Sequence, residues 1–248
     1  MTRPHSNSPS PASGPIPGPA GAPPGSKDRA RALREAAVRR GRPDRWCEAL
    51  YREAGAALDR VFWADQVPNP MLVERWERWR ADLPPSPRVL VTGAGYGDDA
   101  AWLADQGARV SAFDVSPSAV RRARERFPSS PVRWFAGDLL APPVRRGAPF
   151  DLVVEVYTLQ VLPPERRALA WAPLTSLVAP GGELWLVARA RTADEDPGAL
   201  PWPLLRGELE RLEGEPLEAR SVEEFLDQEE PPARRLVARY RRPDGTTR

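Results

Sequence analysis

An α/β fold built on one doubly wound sheet is what this sequence predicts, and three observations carry that expectation. Residues 89 to 100 read V-L-V-T-G-A-G-Y-G-D-D-A: β-favouring residues run into Gly93, Gly95 and Gly97 and then into the first turns of a helix. Apolar strand-like segments alternate with helical ones along the chain, the pattern of parallel strands with helices on both faces. One segment, Phe150 to Tyr157, has a continuous apolar centre, as a strand covered on both faces requires.

At 248 residues the chain has room for one such domain of ordinary size and a tail. Residues 1–27 are dominated by Pro, Ser and Gly and bury too little apolar surface to offset their ordering entropy, so a disordered tail is expected, its PxxP spacings most simply solvated. A helix follows from Asp28, its expected N-cap, to Arg40, and another starts near Asp44 with Trp46, Leu50 and Tyr51 on one face. The aromatic, proline-containing stretch 60–70 then leads into a helix carrying Leu72, Val73, Trp76 and Trp79. Residues 28–83 are thus read as an N-terminal helical lid segment, and 84–248 as the main domain. Trp63 in the loop either closes over a ligand or anchors the N-terminal helices.

Past the glycine turn, residues 108–113 alternate as a strand ending at Asp114, a helix spans 119–127, and 132–135 form a third strand before Gly137-Asp138-Leu139. The fourth strand, 150–157, is followed by Pro163-Pro164 opening a helix that stops at Pro180-Gly181-Gly182. Residues 183–188 make a fifth strand; a helix around 204–212 and a closing strand at 235–240 complete the chain.

The net charge is only +2, with both signs interspersed, so neither nucleic acid nor an anionic membrane is implied as a partner. Lys27 is the only lysine, Cys47 the only cysteine and His5 the only histidine. A lysine nucleophile, a histidine base and a metal site of His and Cys all lack candidates, and no metal is expected. A single cysteine suits a reducing compartment, and no run reaches the roughly 20 apolar residues of a membrane span, so a cytoplasmic protein is expected.

The glycine spacing separates cofactor classes. A dinucleotide fingerprint would place its third glycine at position 98, which is Asp, and Asp98 and Asp99 would repel a pyrophosphate at that helix start. A phosphate-free, cationic cofactor fits better, and S-adenosylmethionine is one. Asp114 lies close to 20 residues beyond the glycines, where a carboxylate accepts hydrogen bonds from ribose hydroxyls; Ser116 and Ser118 stand ready to cap the next helix in its place. Gly137-Asp138 is either an ordinary turn or a site where Asp138 accepts from an adenine amino group with Leu139 packing on the ring. Glu155, Tyr157 and Thr158 fall at the C-terminal end of the fourth strand, where open α/β sheets bind ligands.

Together with F-D-V-S at 113–116, G-D-L at 137–139, F-D-L-V-V-E-V-Y-T at 150–158 and L-V-A-P-G-G-E-L at 177–184, the glycine stretch resembles the ordered motifs of class I S-adenosylmethionine-dependent methyltransferases. The acid after the glycine turn and Y-T-L-Q-V-L-P-P-E-R-R look like the thiopurine and thiol methyltransferase branch. The resemblance implies a Rossmann-like seven-stranded sheet whose last strand is antiparallel. It implies Gly93, Ala94 and Gly95 beside the methionine part of the cofactor, Asp114 and Val115 at the ribose, Asp138 and Leu139 at the adenine, and Glu155 and Tyr157 at the boundary with a small-molecule acceptor. Trp63, Tyr157 and Trp202 are the expected acceptor-pocket residues. Val91 and Thr92 stand where many members carry an acid, and Val156 where the thiopurine enzymes have a basic residue. Two other readings use the same turn: an NAD(P)-dependent oxidoreductase, and a non-catalytic S-adenosylmethionine-binding protein.

Overall fold

In the computed structural model, residues 24–41, 45–144, 149–198, 200–210 and 216–244 are described. The expected tail therefore lies, for residues 1–23, outside the described residues. Five parallel strands form the centre: β1 (Arg88–Thr92), β2 (Arg109–Asp114), β3 (Arg133–Ala136), β4 (Phe150–Val156) and β5 (Val178–Arg191). Strand β8 (Arg234–Arg241) runs antiparallel between β5 and β7 (Glu218–Leu226), so the order is β3-β2-β1-β4-β5-β8-β7. A two-residue strand, β6 (Leu204–Leu205), pairs with the far end of β5. The main path thus has the seven strands and the antiparallel last strand that the resemblance implied.

The connecting helices begin where local chemistry starts them. Helix α5 (Pro117–Arg126) has Pro117 in its first turn and Ser116 as N-cap, whose side chain accepts from Ala119 N. Helix α3 (Pro70–Trp79) is capped by Asn69, which accepts from Met71 N and Leu72 N. Helix α4 (Asp98–Asp105) starts at Gly97 and α6 (Pro164–Ser176) at Pro163. Helix α1 (Ser26–Arg39) begins with Gly25 as N-cap, three residues ahead of the expected cap Asp28, which leaves Asp28 inside its first turn.

Two expectations for the later elements are corrected, and one strand is added. Helix α6 ends at Ser176, and Pro180-Gly181-Gly182 lies inside β5, where the register shifts against β4. Leu204 and Leu205 pair with β5 and precede a short helix, α7 (Arg206–Glu210); the remainder of the expected helix, 211–215, is outside the described residues. Strand β7 was not singled out by the sequence.

Each face of the sheet is covered. Leu90, Phe113, Val153, Leu184 and Leu186 pack with Ala170 and Leu174 of α6. On the other face Val89, Val91, Val154 and Trp185 meet Leu103 of α4 and Leu72, Trp76 and Trp79 of α3. Trp185 stands edge-on to Trp76 and Trp79 at centroid separations of 6.1 and 5.2 Å. Helix α3 is therefore a layer of the core.

Helices α1 and α2 (Trp46–Ala54) form a third cluster with Val61, Tyr96, Leu200 and Trp202. They are fastened to the sheet by Glu48, whose carboxylate accepts from Ser116 Oγ at 2.6 Å and from Ser118 N and Oγ at 3.1 and 2.8 Å. Those bonds and the nearby Arg52 hold its pKa below the ordinary value against the opposing effect of burial. Glu48→Ala is expected to cost about 1 kcal/mol, the worth of a partly exposed hydrogen-bonded group. Limited proteolysis should then cut earlier before residue 60, while the fragment containing the sheet persists. None of the described helices is long and apolar enough to cross a membrane.

Candidate active site

The strand order reverses between β1 and β4, and such a reversal opens a crevice at the C-terminal ends of the strands. The glycine turn forms its floor. Gly93 has φ +61°, and a Cβ there would overlap the Thr158 side chain, whose hydroxyl donates to Thr92 O. Gly95 donates its amide to Asp114 Oδ2 at 2.9 Å, while Asp114 Oδ1 accepts from Ser116 N at 2.8 Å. One buried carboxylate thus joins the first and second crossover turns, and Ser116, not Asp114, caps α5.

Gly93, Ala94, Gly95, Asp114, Val115, Asp138, Leu139, Trp63 and Tyr157 all line one cleft. It contains roughly 1510 Å³ of space, its open mouth included. Trp46, Phe62 and Trp63 roof it together with Tyr51, whose hydroxyl accepts from Trp63 Nε1 at 2.8 Å. A Cβ on Gly95 would lie 3.2 Å from that hydroxyl, so the roof comes down to the floor.

Glu155 and Trp202 are not in the lining. Glu155 is fully buried beneath the loop after β4, its Oε1 accepting from Thr158 N at 2.6 Å and Leu159 N at 2.7 Å. The reason is local: the chain reverses at Tyr157, which adopts φ +59°, and the two freed amides need an acceptor. Trp202 packs behind the wall, with the Arg34 guanidinium 4.2 Å from its ring centroid; its neighbour Pro201 reaches the cleft.

Asp65, Asp98 and Asp99 also face the cleft, and Arg166 is the one cation among the lining residues. Asp98 is held by Arg126 through two bonds of 2.6 and 2.7 Å, a role its place at the helix start did not signal. Asp99 accepts from Asn69 N at 2.6 Å, tying the roof loop to α4. The contributions of Glu48, Tyr51 and Asn69 join residues 12 to 70 positions apart, and no local pattern marks them.

Burial raises the pKa of Asp114 to about 6 and those of Asp99 and Glu155 to about 7, against hydrogen bonds from backbone amides that lower them. A folded-state pKa above the unfolded one means that the folded protein holds these protons more tightly. The associated stability is complete below the unfolded values near 4 and is lost as pH rises through 6 to 7. The ligand-free protein is therefore expected to melt at a higher temperature at pH 5 than at pH 8. Asp99→Asn should reduce that difference, as thermal unfolding at the two pH values will show.

Comparison with known proteins fits this geometry. Residues 89–182 match a family model described as a methyltransferase domain. An uncharacterized methyltransferase of Mycobacterium bovis is 38% identical over 99 residues, 40% of this chain and 49% of the relative. Residues 89–182 are thus similar to a methyltransferase domain. A thiopurine S-methyltransferase of Vibrio cholerae is 31% identical over 138 residues, 48% of this chain and 60% of the relative. The chain thus spans about half of the first relative and three fifths of the second. For the methyltransferase fold, the crystal structure of the Burkholderia thailandensis 1,6-didemethyltoxoflavin-N1-methyltransferase superimposes with a TM-score of 0.55 at 21% identity, covering 93% of this chain and 94% of that one. The matched residues 89–182 include the glycine turn, Asp114, Asp138 and Glu155, but neither Trp63 nor the helices that roof the cleft.

Proposed function

We propose that the protein transfers the methyl group of S-adenosylmethionine to an O, N or S nucleophile of a small molecule, in the cytoplasm. One observation carries the reading. The cleft runs from Asp114 and Asp138 over the glycine turn and continues past β4 under an aromatic roof, leaving room for an acceptor beside the cofactor.

The residues present fit this cofactor. Gly93 and Gly95 put no Cβ into the floor, the Asp114 carboxylate suits the ribose hydroxyls with Val115 beside it, and Asp138 and Leu139 suit the adenine. When bound, the sulfonium supplies an already activated methyl group. What remains for the chain is to hold the acceptor in line, which is worth several kcal/mol of barrier, and to exclude water. Trp63 and Tyr157 are proposed to orient the acceptor, with α1, α2 and the roof loop as a lid. A thiolate or neutral amine needs no base, and such acceptors suit the cleft best: Glu155 does not line it, and burial raises the Tyr157 phenol above its ordinary value, which keeps it protonated. The pyrophosphate of a nicotinamide cofactor would meet Asp98 and Asp99 at the start of α4.

Calorimetric titration with S-adenosylmethionine, S-adenosylhomocysteine and NADPH tests the reading. Micromolar binding of the adenosyl ligands alone is expected, and release of S-adenosylhomocysteine with a panel of small acceptors would separate an enzyme from a binding protein. Binding of NADPH alone would overturn it.

A further inference from the structure

The loop between β4 and α6 supplies Tyr157, Thr158, Gln160, Val161 and Leu162 to the cleft, and two oppositely charged buried side chains hold it from behind. Glu155 takes its amides, as described above. Arg167 of α6, only 1% exposed, takes its carbonyls, donating to Leu159 O at 3.1 Å and Leu162 O at 3.4 Å. The same guanidinium donates to Trp202 O at 2.9 Å and to Glu208 at 2.6 Å, which anchors it against the segment after β5.

We propose that Glu155 and Arg167 are positioning residues that fix this loop as the wall of the cofactor cleft. Held so, Thr158 sits over Gly93, and Tyr157 is turned into the cleft through its left-handed backbone. The inference rests on the assignment of the glycine turn as the cofactor seat. It explains why an acid at the end of β4 is turned inward: a carboxylate that accepts two amides on one oxygen sets where Thr158 meets the glycine turn. Its second oxygen, Oε2, is buried and has no hydrogen-bond partner among the described residues.

The grip depends on the charge of Glu155. An ionised carboxylate accepts hydrogen bonds about twice as strong as a neutral acceptor's. Burial moves this group's ionisation to about pH 7. The charged group facing it is Arg167, and its cross-strand partners Thr92 on β1 and Leu186 on β5 bring no charge. Raising the pH through 7 therefore tightens the loop onto the cofactor seat, although it costs the ligand-free fold some stability.

The test is calorimetric titration of S-adenosylhomocysteine at pH 6, 7 and 8 into the wild type, Glu155→Gln and Glu155→Asp, with melting temperatures measured on the same samples. Glu155→Gln keeps an oxygen for both amides but no charge, and is expected to weaken binding about fivefold at pH 8 and to remove the part of the pH dependence centred near 7. Glu155→Asp keeps the charge but shortens the reach, so its affinity should fall at every pH. A simple packing role predicts affinity losses that follow the melting temperature and do not depend on pH; that result, or unchanged affinity in both folded variants, overturns the inference alone. Failure of the wild type to bind either adenosyl ligand would instead remove the methyltransferase reading on which it rests.

Discussion

Gly93→Ala is expected to weaken binding of S-adenosylmethionine about a hundredfold, equivalent to about 2.7 kcal/mol. Two constraints act at once. The residue has φ +61°, where an L side chain is strained, and its Cβ would overlap Thr158. Thr158 has little freedom to yield: its amide is bonded to Glu155, its hydroxyl donates to Thr92 O, and its β-branched side chain is stiff at χ1. The clash is therefore passed to the loop that carries Tyr157, and the floor and side wall of the cleft shift together. Gly107→Ala provides the control, since Gly107 has φ +88° with nothing within 4 Å of the added Cβ. It should cost about 1 kcal/mol of stability from backbone strain alone and leave cofactor affinity unchanged. Equal affinity losses in the two variants, measured by calorimetry, would show that only general destabilisation is at work.

What the sequence made legible was local. The glycine turn, the Ser116 cap and the strands up to β4 follow from residues that are neighbours in the chain, so β-propensity, glycine spacing and cap chemistry suffice to find them. Strand β7 was missed because it is an edge strand: E-A-R-S-V-E-E-F-L alternates charge with few apolar residues and stays half-exposed. Pro180-Gly181-Gly182 looks like a stop but is taken into β5, where a Cβ on Gly182 would meet the carbonyl oxygens of Phe150, Ala179 and Asp151. An aromatic beside prolines suits a pocket, but tertiary packing on Arg34 sets Trp202 behind the wall. For Glu155 the position along β4 was legible and its direction was not, since the sharp turn at Tyr157 sets which way the carboxylate faces. The packing of α3 against Trp185 likewise joins positions more than 100 residues apart, which no periodicity within α3 reveals.

Asp114→Ala is expected to weaken S-adenosylmethionine at least tenfold, about 1.4 kcal/mol, and to change the pH dependence of binding in a defined direction. The carboxylate already joins Gly95 N to Ser116 N, so its removal takes away the acceptor proposed for the ribose and also frees the glycine turn from the β2 end. Asp114→Asn separates the two effects: it retains one oxygen for an amide but replaces the other acceptor with a donor, which neither backbone amide can use. Because burial places the Asp114 pKa at about 6, the wild type should lose affinity as pH falls below 6, approaching tenfold per pH unit if the bound form requires the carboxylate. In Asp114→Ala that acid limb should be absent, and the remaining dependence near pH 7 should belong to Glu155. An acid limb that persists unchanged in Asp114→Ala would assign the titration to another group and remove Asp114 from the ribose site. Combining Asp114→Ala with Glu155→Gln carries the argument one step further. Both residues act on the glycine turn, through Gly95 and through Thr158 over Gly93, so their effects should not add. A double variant whose loss equals the sum of the single losses would mean that the two turns hold the cofactor independently.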